Sequence, residues 1–162
     1  MRGFKLFLIL WVLVSGSPAF AEEKATPKDV YRLVVDAYEV VKALKDEAMP
    51  AFNNPKGEFV YRDTYVFVMK CPEYIAAHPF AIDKLKDRDL RKDYPFQTTL
   101  CEGGESPFGT WIEYYWPKPG NTEPSRKISF SIHVTGTPYT VVAGIYNDDL
   151  SLDTLNSSLR KK

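Results

Sequence analysis

The side chains able to do chemistry in this sequence are few, and most stand on strand-like stretches. Lys127 lies in RKISFSIHV (Arg126–Val134), where alternation gives one polar face, Lys127, Ser129, Ser131 and His133. Ile128, Phe130, Ile132 and Val134 make the apolar face. A charge on a strand face is costly to bury unless paired, so Lys127 either stands in solvent or faces an anion. Arg126 is an outlying candidate for the same anion. In GTWIEYYWPKP (Gly109–Pro119), Tyr114 and Trp116 share a face, with Trp111, Glu113 and Tyr115 on the other. Tyr and Trp bring flat apolar bodies with a polar tip, which suits a pocket as well as a core. Glu113 is the one acid embedded in this strand, and a cross-strand pairing with Lys127 is the preferred account of it. His78 precedes Pro79 at a strand end, either as a donor to an anionic ligand or as a hydrogen-bonded structural histidine. Tyr65 and Phe67, in TYVFVM (Thr64–Met69), are core residues or the wall of a pocket.

Catalytic signatures are missing from this set. The sequence has no GxSxG, HExxH, P-loop or GxGxxG. Its two histidines and two cysteines lack zinc-site spacing. The acid-containing runs Asp83–Asp89 and Asn147–Asp149 lack the spacing of a calcium loop. The residues therefore suggest a binding protein without catalytic residues, metal or cofactor. Lysine plus arginine and aspartate plus glutamate both number 21, a balance that gives no electrostatic case for nucleic acid or an anionic membrane surface.

The chain opens with MRGFK, an apolar run LFLILWVLVSG and an Ala19-Phe20-Ala21 end, the three parts of a secretory signal peptide cleaved after Ala21. The run falls short of the roughly 20 residues a spanning helix needs. Export to an oxidising compartment then favours a disulfide between Cys71 and Cys101. Closing a loop of about 30 residues this way stabilises by roughly 3 to 4 kcal/mol in the chain-entropy model.

The elements that must position these residues follow in order. Thr26-Pro27-Lys28-Asp29 is a helix start, with a Thr cap, Pro at the first helical position and an acid three residues after the cap. Val30, Leu33, Val34, Ala37, Val41, Leu44 and Ala48 form one stripe, so the spacing predicts a long helix ending near Met49-Pro50. AFNNPKGEF (Ala51–Phe59) is turn chemistry. TYVFVM and EYIAAH (Glu73–His78) predict a hairpin. Residues 80–108 read as a solvated crossing loop with a helical turn, anchored by Phe96, Leu100 and Phe108. Three strands follow as a meander: the two already named and YTVVAGIY (Tyr139–Tyr146). A short helix after Asp148 puts Leu152, Leu155 and Leu159 on one side. The pattern is α+β.

The ordered set AFNNPKGEFVYRDTYVFVM, AAHP, WIEYYWPKP, RKISF and GTPYTVVAGIY resembles the single Cache domain of bacterial extracytoplasmic sensors, over roughly residues 30–146. Family members carry a glycine in the turn where this chain has Cys71-Pro72, and they continue into a transmembrane helix where this sequence ends at Lys162. The resemblance implies a PAS-like Cache fold, a long N-terminal helix packed on a five-stranded antiparallel sheet, as one domain over residues 22–162. It implies a small organic acid bound on the other face, under the crossing loops, by Tyr65, Phe67, His78, Tyr114, Trp116 and Lys127. The expected protein is a free-standing periplasmic sensor domain that signals through a membrane sensor or transporter. The competing expectation is an envelope interaction protein of the same fold, with its pocket filled by its own side chains.

Overall fold

The computed structural model describes residues 23–160 apart from Glu73 and Asp87. The expected signal peptide, residues 1–21, lies outside the described residues. The first helix, α1 (Pro27–Leu44), begins as its sequence dictates. The Thr26 hydroxyl accepts from the Asp29 N–H at 3.2 Å, and the Asp29 carboxylate accepts from the Thr26 N–H at 2.9 Å. Val30, Leu33, Val34, Ala37 and Val41 are buried along its inner stripe. The expected helix to Met49 is broken earlier. Lys45 adopts a positive φ of 51° and opens a 3-10 turn, Lys45–Ala48. Pro50 then sits in the first turn of a short helix, α2 (Met49–Phe52), where its missing N–H costs nothing. Leu44, expected on the buried stripe, is the last residue of α1 and is exposed.

One sheet carries the rest: β1 (Val60–Tyr61), β2 (Thr64–Lys70), β3 (Tyr74–Ala77), β4 (Thr110–Pro117), β5 (Pro124–His133) and β6 (Tyr139–Ile145). The spatial order is β1-β2-β6-β5-β4, and β3 pairs with β2. Every pairing is antiparallel. The last strand therefore lies at the centre, with Val142 opposite both Phe67 of β2 and Ser131 of β5. Five substantial strands match the expectation, and the two-residue β1 is the addition.

Strand alternation divides the apolar residues into two cores. Val66, Val68, Trp111, Ile128, Phe130, Val141, Ala143 and Ile145 face α1 and pack with its stripe. Tyr65, Phe67, Met69, Ile112, Tyr114 and Val142 face the other way. That second face is covered by the crossing segment, which is more ordered than a solvated loop. It contains α3 (Ile82–Leu85) and a nine-residue helix, α4 (Phe96–Gly104). Leu85, Leu90 and Leu100 are buried beneath it. Phe108 is not an anchor: it is 59% exposed.

A disulfide between Cys71 and Cys101, with Cα atoms 5.7 Å apart, ties α4 to the end of β2. Close approach ties it again. A Cβ on Gly104 would lie 2.9 Å from the Thr140 side chain, and the Ser131 hydroxyl donates to the Leu100 carbonyl at 2.7 Å. The closing helix, α5 (Leu152–Leu159), lies along β4. The Asn156 side-chain amide exchanges two hydrogen bonds with the Trp111 backbone, at 2.9 and 3.0 Å. Among the described residues no helix is long and apolar enough to cross a membrane.

Candidate ligand cavity

Between the sheet and the crossing segment lies a cavity of about 20 Å³. That is room for about one water. All six residues expected to contact a ligand, Tyr65, Phe67, His78, Tyr114, Trp116 and Lys127, line it. β2 supplies the first two by its period of two, β4 supplies Tyr114 and Trp116, and β5 supplies Lys127. His78 follows the end of β3.

Lys127 is fully buried, and its ammonium has no hydrogen-bond partner among the described residues. The surroundings of Nζ are aromatic: ring centroids of Tyr65 at 4.0 Å, Tyr146 at 5.2 Å and Phe67 at 5.5 Å. Cation–π attraction recovers a part of the lost hydration. Among the described residues no acid lines the cavity. Burial without a counter-ion lowers the Lys127 pKa to about 7. The expected cross-strand partner is not there either. Glu113 points to the other face of β4 and pairs with Arg126 at 2.6 Å, while Lys127 stands opposite Tyr114.

His78 is held by its neighbours. Its N–H donates to the Asn53 side chain at 3.0 Å, and its Nδ1 accepts from the Phe80 N–H at 3.1 Å. An accepting Nδ1 places the proton of the neutral ring on Nε2, which leaves that nitrogen a donor. Burial, and the Lys127 charge after it, lower the His78 pKa to about 3. Burial pushes the Tyr65 hydroxyl well above the usual range, and hydrogen bonds with Tyr146 and Trp116 also act on it. The Tyr114 hydroxyl pairs with that of Ser129 at 3.0 Å. Tyr146 is pushed up to about 12 by burial and donates to the Pro117 carbonyl at 2.7 Å. The cavity thus holds neutral donors around one cation.

Arg126, the outlying candidate, is not in the cavity. Its guanidinium donates to the carbonyls of Asn147 at 2.7 Å and Leu150 at 3.1 Å, besides its pairing with Glu113. Its role is to hold the link between β6 and α5. Gln97 was missed from the sequence. It is buried on α4, lines the cavity, and its Oε1 accepts no hydrogen bond among the described residues. Phe96, expected only as an anchor, stacks on Tyr114 with centroids 4.2 Å apart. The charged run before α4 concealed both, although Pro95 marks a helix start.

This geometry agrees with what the chain is similar to. A family model described as "Cache domain" matches residues 22–151. A periplasmic sensor domain of a chemotaxis protein superposes with a TM-score of 0.63 at 22% identity, covering 75% of this chain and 94% of that one. A methyl-accepting chemotaxis protein from Vibrio parahaemolyticus does so with a TM-score of 0.53 at 17% identity, covering 74% and 82%. No curated protein sequence matches the chain. With a helix-backed antiparallel sheet and a cavity under its crossing segment, the chain belongs to the Cache domain family.

Proposed function

We propose that this chain is a periplasmic sensor domain, spanning residues 22–162 after removal of its signal peptide, that binds a small organic acid. The observation that carries the reading is Lys127, a fully buried ammonium without an acceptor among the described residues. An unpaired buried charge is costly, and a carboxylate is the ligand group that removes the cost. In this reading the carboxylate pairs with Lys127 Nζ and accepts from His78 Nε2–H. The hydroxyl of Tyr114 and the indole N–H of Trp116 are further donors. Tyr65 and Phe67 form the apolar walls, and the free Gln97 oxygen accepts from a hydroxyl or amine on the acid. Entry requires side chains to move, because the open space holds about one water.

The leucines of α5 pack against the core, so they are a poor surface for a partner. Val35 and Leu44, exposed on α1, are the better contacts for a membrane sensor or transporter. We read the protein as a binder, not an enzyme; apart from Lys127 its buried titratable groups are donors held neutral, which suits recognition. The tightness of the cavity favours one other reading, an envelope interaction protein whose pocket is filled by its own side chains.

A thermal-shift panel of short carboxylic, hydroxy and amino acids on the purified protein separates the two. Saturation at 100 times the dissociation constant adds about 2.7 kcal/mol, a shift of several degrees in a domain of this size. One class of acid raising the midpoint, and failing to do so in Lys127→Met, supports the sensor. A flat panel after unfolding and refolding to strip retained ligand refutes it in favour of the filled pocket.

A further inference from the structure

The cavity beside Lys127 is small as well as dry. At about 20 Å³ it takes one water, so an acid of several carbons enters only if side chains move. A molecule of three atoms in a row needs little more than the space already there. Tyr65, Phe67, Ile75, Leu85 and Tyr114 line the cavity and are all buried, which shuts out bulk solvent. The Lys127 amine shares this space, and Nζ has no hydrogen-bond partner among the described residues.

A lysine so placed is a nucleophile at neutral pH, because desolvation in an apolar pocket frees its lone pair. Burial brings the Lys127 pKa down to about 7, so about half of it is neutral there. An exposed lysine near 10.4 is neutral in only about one molecule in a few thousand. The polar groups around the amine favour a product of one sign. His78 Nε2–H is a donor, because Nδ1 already accepts from the Phe80 N–H at 3.1 Å. The Tyr114 hydroxyl can donate into the cavity while accepting from Ser129, 3.0 Å away. Such groups offer little to an ammonium and strong hydrogen bonds to an anion.

We propose that Lys127 is a carbon dioxide site, whose neutral amine adds dissolved carbon dioxide to form a carbamate. The Nζ lone pair forms an N–C bond as one C=O π bond opens onto oxygen. The amine gives up one proton to water, and the side chain becomes –NH–COO⁻. The step balances without an oxidant, a reductant or a leaving group. The carbon draws in to bonding distance of Nζ, so the product takes less of the cavity than the free molecule. Its oxygens accept from His78 Nε2–H and the Tyr114 hydroxyl. The chain thereby supplies its own carboxylate, in the place where a bound acid would put one. The site needs no organic acid, and carbamate and bound acid exclude each other.

Carbon-13 NMR of the full chain, equilibrated with labelled carbon dioxide and bicarbonate near pH 7.5, tests this because it reads carbamates in place. The α-amino terminus, with an ordinary pKa near 8, reacts in the same range and serves as the internal control. Wild type shows two carbamate signals, and Lys127→Met keeps only that of the terminus. At constant dissolved carbon dioxide the Lys127 signal grows from about pH 6 to 8 as the ammonium loses its proton. Carbon dioxide also raises the urea midpoint of wild type more than that of Lys127→Met, since the carbamate forms in the folded state. A terminal signal alone in wild type, or equal midpoint gains in the two proteins, overturns the carbamate. If short acids then still raise the thermal midpoint, the acid-binding cavity stands without it. A Lys127 signal with a flat acid panel supports the carbamate and refutes the acid.

Discussion

Lys127→Met keeps the length and most of the volume of the buried side chain and removes its charge. The wild-type domain carries a cost that the variant does not. The Lys127 pKa falls from 10.5 to about 7 because burial penalises the ammonium. Between those two values the unfolded chain binds a proton that the folded chain does not, so stability rises with pH through this window. Each full pH unit in it adds about 1.4 kcal/mol. Between pH 7 and 9 the gain is roughly 2 kcal/mol, since at pH 7 the folded lysine is already about half neutral. Above pH 9 the raised tyrosines act in the opposite sense, because the unfolded chain begins to ionise near pH 10 while Tyr65, Tyr114 and Tyr146 resist. The test window is therefore pH 7 to 9. Wild-type midpoints in urea should climb across it at constant m, and those of Lys127→Met should stay flat. The variant should be the more stable protein at pH 7, by a few kcal/mol at most, and should not bind acids. A flat wild-type profile, or an equal slope in the variant, would refute an uncompensated buried charge at this position.

Four further outcomes follow from other contacts. Removing the disulfide as Cys71→Ser with Cys101→Ser should cost about 3 to 4 kcal/mol in urea unfolding, with α4 the first element to lose hydrogen-exchange protection. Arg126→Ala should lower stability by roughly 2 to 3 kcal/mol, through two carbonyls and Glu113 left without their donor, and leave acid affinity unchanged in calorimetry. His78 is neutral in the folded protein down to about pH 3, so stability should fall as pH drops below the ordinary histidine value near 6.5. His78→Gln should flatten that acid limb. Gly109→Ala should destabilise by about 1 to 3 kcal/mol, because Gly109 has a φ of 70° and an added Cβ would lie 2.5 Å from the Phe130 ring; a midpoint unchanged in urea would show that the ring gives way freely.

Much of the site was legible because strands obey a strict period. Once Tyr65, Tyr114 and Lys127 were placed on strands, alternation fixed which neighbours shared their face. The structure puts Phe67, Trp116 and Ser129 on that face accordingly. Alternation left the polar face of β5 undecided between solvent and pocket. Lys127, Ser129 and Ser131 are all buried, and what decided it was the cover laid over them. Glu113 and Lys127 show the limit of the same rule: neighbouring strands allow a pairing, but β4 presents Glu113 to the face opposite Lys127.

That cover was the part the sequence concealed. Residues 84–94 alternate charge with few apolar positions, which is the composition of a solvated loop. Here it belongs to a segment fixed from outside its own pattern. The Cys71–Cys101 bond, the Leu100 carbonyl accepting from Ser131, and the close approach at Gly104 all join α4 to distant strands. The bond was legible from two cysteines in an exported chain, but the other two contacts have no local period, so no window of sequence reveals them. Gln97 was lost for the same reason: its burial depends on a helix whose position is set by tertiary contacts. In the proposed acid-binding site a sheet faces a cover attached at a few discrete points, and the two sides are expected to differ in stability. The sheet side holds the cation, and the cover side is the one expected to respond to what pairs with it. Ligand-dependent protection should therefore concentrate in α4 and around α3 rather than in β5. Protection rising uniformly across both layers would mean that the sheet and its cover respond as one unit.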